Sequence, residues 1–156
     1  MKVSSLLLTI NIILLIFIWI FVGINYSDLP EIVPSHFAIN GSVDGVSEKK
    51  AIWILPVIAT FLFLLLAGIS RNPDSPMLNV PNSYRNKESL KFFANSTLLP
   101  ILLLLADTVV ESTLIAQAKL QEMSSVVFIL LALVFIVISI HIYKMIKESK
   151  SETSKA

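Results

Sequence analysis

Two acids stand four residues apart inside an otherwise apolar run: Asp107 and Glu111, within Phe92 to Ala116. Spacing of i and i+4 places both on one face of a helix. A charge within a membrane-spanning helix costs about 2.5–3.5 kcal/mol on insertion scales, so such a residue points to function. A second set of reactive types lies in the polar stretch 28–50, where His36 and Asp44 sit among Pro30, Pro34, Asn40-Gly41 and Asp44-Gly45. One imidazole with several carboxylates is a donor set for a divalent cation. The same carboxylates would attract a cationic peptide. Metal identity stays open, and no other cofactor is expected. Catalysis has little support. The chain has no His-Glu-x-x-His helix, no Gly-x-Ser-x-Gly elbow and no phosphate-binding glycine loop. The acid pair lacks a nucleophile or an electrophilic stabiliser beside it, so no enzyme is expected. The lack of any cysteine removes disulfides, thiolate metal sites and cysteine nucleophiles.

The elements that must position these residues are apolar runs. Of 156 residues, 55% are hydrophobic and only 15% charged, where a soluble domain carries about 25% charged residues. A helix needs about 20 apolar residues to cross a hydrocarbon core. Four segments qualify: 3–24, 52–69, 92–116 and 126–143. They lack strand alternation and must satisfy their own backbone, so each is a helix. The expected fold is an all-α integral membrane protein, a single four-helix membrane domain over 1–146 with a polar tail at 147–156. The first run is too long for a signal-peptide core and no small-x-small site follows it, so it is read as an uncleaved span.

Basic residues set the orientation. Lys2, Arg71, Arg85, Lys87, Lys91, Lys144, Lys147, Lys150 and Lys155 make nine on one side, against Lys49, Lys50 and Lys119 on the other. Both termini and the loop 70–91 are therefore expected in the cytoplasm, with the loop 25–51 outside. Trp19 and Trp53 fall towards the outer ends of their spans. The tail after Lys144 should continue the fourth helix briefly and then fray. A net charge of +1 gives no global field that would favour nucleic acid.

Pro30 and Pro34 fix φ and force extended residues before them. Asn40-Gly41 and Asp44-Gly45 are turn dipeptides. The outer loop is therefore expected to be compact and structured, with two tight turns, ordered by Pro30, Pro34, Asn40, Gly41 and Gly45. Counted from Phe92, Asp107 lies about 22 Å and Glu111 about 28 Å along the third helix. Two placements follow. In one, Glu111 reaches outward to the interface and Asp107 hydrogen-bonds a neighbouring helix at Asn11 or Thr60. In the other, Asp107 and Glu111 lie beneath the outer loop and face His36 and Asp44 as one ligand site. His36 is expected to order the loop by hydrogen bonding. His141 is expected at the cytoplasmic interface beside Tyr143 and Lys144.

Leu29-Pro30, Pro34-Ser35-His36-Phe37, Asn40-Gly41, Asp44-Gly45 and Lys49-Lys50 stand in order between two apolar helices, with Pro56 near the start of the second. Over about residues 10–65 this resembles the short N-terminal domain of unknown function of bacterial SdpI-type membrane proteins. The C-terminal membrane region typical of those proteins is not recognised here. The resemblance implies a bacterial plasma membrane and a role in toxin immunity or sensing. The partners it suggests are an extracellular peptide toxin, and a membrane protein or a second copy, within the lipid bilayer. Three functions are weighed: a binder or immunity protein working through the outer loop, an ion-coupled transporter subunit using Asp107, and a structural or assembly subunit.

Overall fold

The computed structural model describes residues 3–76 and 78–154. Lys2 and Lys155, which entered the charge count, lie outside them. Four helices are long and apolar enough to cross a membrane: α1 (Val3–Asn25), α2 (Ile54–Ile69), α3 (Lys87–Ala116) and α4 (Val126–Thr153). The chain is thus a multi-pass membrane protein by helix length and composition. Between α1 and α2 lies an antiparallel hairpin, β1 (Ile32–Phe37) and β2 (Val43–Glu48).

The central element is α3, which touches the other three helices. In its apolar window 44% of residues are buried within the protein, against 11% to 17% in the other three. Burial inside protein is what permits α3 to carry polar groups, since a lipid-facing helix has no partner to offer them. One face of α3 presents Leu98, Leu102, Ala106 and Val109 to Ile18 and Val22 of α1 and Ala59 of α2. The opposite side receives α4. Asn11, fully buried on α1, donates from Nδ2 to the Asn95 carbonyl of α3 at 2.9 Å. Trp19 Nε1 donates to Thr60 Oγ1 at 2.9 Å and joins α1 to α2. Its ring lies 5.8 Å from Trp53, which lies 5.4 Å from Tyr26.

Helix ends depart from the expected bounds for local reasons. α3 begins at Lys87, five residues before the apolar run, because the Asn86 side chain accepts the Ser89 N–H at 2.8 Å and caps it. The first residues of the second span, Lys49–Trp53, form a 3-10 turn before α2. Pro56 falls in the first turn of α2, where its missing N–H leaves no bond unmade. The expected fraying of the tail does not occur within the described residues, as α4 runs to Thr153. Glu152 accepts the backbone N–H groups of Asn82 at 3.2 Å and Ser83 at 3.0 Å, and Glu148 accepts from the Ser83 hydroxyl. The 70–91 connection is thereby fastened to the polar end of α4.

Loss of the α3 cap should be measurable. Asn86→Ala is expected to destabilise the folded protein by about 1 kcal/mol, read as a lowered midpoint of thermal unfolding in detergent.

Candidate functional site

The polar loop folds as a hairpin with one tight turn rather than two. Asn40-Gly41 forms the turn: Gly41 has φ +85, its N–H donates to the Ala38 carbonyl at 2.8 Å, and Asn40 Oδ1 accepts from Ser42 N and Oγ. Asp44-Gly45 lies within β2 instead, and the ladder carries a bulge where His36 meets Gly45. Glycine is needed there for space, since a Cβ on Gly45 would stand 2.8 Å from the His36 Cβ. The bulge places His36 Nδ1 2.5 Å from Asp44 Oδ1, with the imidazole 74% exposed. Pro30 and Pro34 keep the entry extended, and Pro34 pairs with Val46 in the ladder. Lys49 closes the hairpin by pairing with Glu31 at 2.9 Å, its ammonium 5.4 Å from the Tyr26 ring.

The inner side of the hairpin is seated on the helices. Val33 and Leu29 are buried in the main core with Ile52 and Val109. The tip is held separately. Gly41 O accepts the Met123 N–H at 2.9 Å, and a Cβ on Gly41 would fall 2.3 Å from Met123 O. Met123 is itself buried, and the next residue, Ser124, donates its N–H to Glu111 Oε2 at 2.8 Å. Glu111 is only 8% exposed. Its carboxylate turns to the protein rather than to solvent: it anchors the α3–α4 connection, which in turn anchors the hairpin tip. Between hairpin, α2 and α3 remains a cavity of about 200 Å3 walled by Pro34, Phe37, Ser47, Leu55, Thr108 and Ser112.

Asp107 is half-buried, and its Oδ2 is buried with no hydrogen-bond partner among the described residues. The expected partners are engaged elsewhere, Asn11 with Asn95 and Thr60 with Trp19. The four candidate residues do not converge. Among the described residues no three His or acidic side chains come together in a way that could hold a metal ion. His36 and Asp44 form one exposed pair, Glu111 is bonded to the connection, and Asp107 stands apart.

A second site was not expected from the sequence. His141 is buried within the protein, at 5% exposure. Its Nε2 lies 2.8 Å from Ser96 Oγ, and its ring meets Phe93 edge-on at 5.0 Å between centroids. It helps wall a cavity of about 840 Å3 at the tail end of the bundle, with Tyr84, Ser89, Phe92, Lys144 and Lys147. Burial, then the Glu148 carboxylate, raises the Tyr84 pKa, so its phenol stays protonated at neutral pH. The cue in the sequence was the spacing of His141, Lys144, Glu148 and Ser151, which follows one face of a helix.

The anchoring role of Glu111 can be separated from its charge. Glu111→Leu should cost about 1–3 kcal/mol by leaving the Ser124 N–H unpaired, and should speed amide exchange at both 117–125 and 38–43. Glu111→Gln retains an acceptor oxygen and should hold both segments closer to wild type.

Comparison with known proteins places this hairpin within a recognised unit. Residues 13–60, covering most of α1, the hairpin and the start of α2, match the model of a domain of unknown function, DUF1648. The chain is 32% identical over 111 residues to an uncharacterized protein of Archaeoglobus fulgidus, an alignment that covers 63% of this chain and 60% of that relative. The chain thus spans less than two thirds of the relative's length. No solved structure matches.

Proposed function

We propose that this chain is a binding protein of a bacterial plasma membrane, its termini cytoplasmic and its hairpin turned outward to meet an extracellular peptide. The observation that carries this reading is the two-sided character of the hairpin. Its inner side is fixed by Val33, Leu29 and the Gly41–Met123 bond. Its outer side leaves Ile32, Val46 and the turn residue Ile39 exposed, Ile39 at 89%, beside the His36–Asp44 pair. A surface already ordered before binding loses less entropy when a partner docks. An exposed strand edge offers N–H and C=O groups to an extended peptide, and apolar side chains supply contact area. The residues matched by the domain of unknown function lie inside the stretch that resembles SdpI-type proteins. That resemblance favours a toxin peptide as the partner, and immunity or sensing as the outcome.

One further observation favours a second reading. The unpartnered Asp107 carboxylate oxygen, on the most polar helix, suits an ion-coupled subunit that completes its pathway with another protein or a second copy.

The absence of native cysteine makes orientation directly testable. In intact cells, Ser35→Cys should react with a membrane-impermeant maleimide, and Asn79→Cys only after permeabilisation; the reverse pattern would overturn the orientation. A sensitive bacterium expressing the protein should survive culture supernatant of the source strain. His36→Ala, at equal membrane level, should lose at least tenfold of that protection. Full protection by His36→Ala combined with its loss in Asp107→Asn would move the function to the ion-coupled reading.

A further inference from the structure

The tail-end cavity is unrelated to the hairpin and has its own chemistry. Its walls come from the start of α1 at Val3 and Ser4, the segment 83–92 leading into α3, and one face of α4. At about 840 Å3 it lies within the range of small-molecule sites, about 300–1,000 Å3. Lys144 and Lys147 reach it from α4, and neither has an ion-pair partner among the described residues. The two acids on the same wall are occupied: Glu148 accepts from the Ser83 hydroxyl, and Glu88 is engaged within the chain. Val3 and Phe92 add apolar surface.

Hydrogen bonding fixes the state of the buried histidine. The Ser96 hydroxyl lies 2.6 Å from the Phe92 carbonyl, an acceptor only, so the hydroxyl donates there. It must then accept from His141, which puts the proton of the neutral ring on Nε2. The other nitrogen, Nδ1, is left as an acceptor with no partner among the described residues. His141 precedes Lys144 by one helical turn, which sets it about 4.5 Å deeper along α4. That nitrogen is sealed from solvent, so what the wall presents is the two unpaired cations of Lys144 and Lys147.

We propose that this cavity binds a phosphate monoester. The phosphate lies between Lys144 and Lys147, with the Tyr84 phenol and Ser89 hydroxyl as further donors. The shared chemistry is that of a single-chain lysophospholipid and of a free polyol phosphate. The apolar surface of Val3 and Phe92, at a helix end where lipid headgroups lie, favours the lipid.

The test uses the full-length protein in a phosphate-free maltoside detergent, with thermal unfolding as readout. The probes are oleoyl lysophosphatidic acid, glycerol 3-phosphate, and monoolein, which has no phosphate. Lysophosphatidic acid should raise the unfolding midpoint in a saturable manner, and monoolein should not. Lys144→Ala/Lys147→Ala should weaken that response at least tenfold, and Lys150→Ala, outside the cavity wall, should leave it unchanged. Should the double variant fail to fold, Lys147→Gln alone should weaken it several-fold. Glycerol 3-phosphate binding as tightly as the lysolipid would assign the site to the soluble ester. Weaker binding by at least tenfold would assign it to the lipid. No saturable response to either ester, or one that the lysine variants leave intact, would overturn the proposal.

Discussion

One hydrogen bond at the end of the central helix underlies the chain of contacts that ties the hairpin tip to the membrane core. Glu111 stands on the central helix and accepts the backbone N–H of Ser124. A carboxylate at 8% exposure is costly unless its oxygens are satisfied. Here the cost is offset by a charge-assisted bond that also fixes a connection with no regular structure of its own. Met123, the neighbour of Ser124, then holds Gly41 at the tip of the hairpin. The hairpin would otherwise be a two-stranded ribbon, which is at best marginally stable by itself. It is ordered because its tip is tied to the bundle and because Val33 and Leu29 share the bundle's core.

The same economy explains why α3 is central. A helix carrying Asn95, Ser96, Asp107, Glu111 and Ser112 cannot face lipid on all sides. It is enclosed by α1 and α2 on one side and α4 on the other. The remaining helices supply apolar surface to lipid, and α1 and α4 add a few polar contacts to α3, as Asn11 does for Asn95 and His141 for Ser96.

The four spans were legible because length and hydropathy determine them directly. What lay beyond depended on contacts between distant residues. The start of α3 at Lys87 follows from a cap rather than from hydropathy. The length of α4 follows from Glu148 and Glu152 meeting a loop some 65–70 residues earlier. Asp44-Gly45 reads locally as a turn, yet the glycine serves to admit the His36 side chain across the ladder. Glu111 reads as an acid near an interface, and only the fold of 117–125 turns it inward. The polar end of α4 reads as a solvated tail, and the cavity there exists only because the start of α1 and the segment 83–92 come to lie beside it.

α4 makes its extensive packing contact with α3 alone, and its fastenings are strung along its length. Ser124 is held just before it begins, His141 is held midway, and Glu148 and Glu152 are held near its end. The last three share one helical phase, and the first fixes where the helix begins. Each residue added to or removed from the apolar stretch between Ser125 and His141 would rotate the later fastenings by about 100° relative to the first. The stretch is therefore free to vary in which apolar residues it contains but not in how many. Its composition answers to the lipid, and its count answers to the protein.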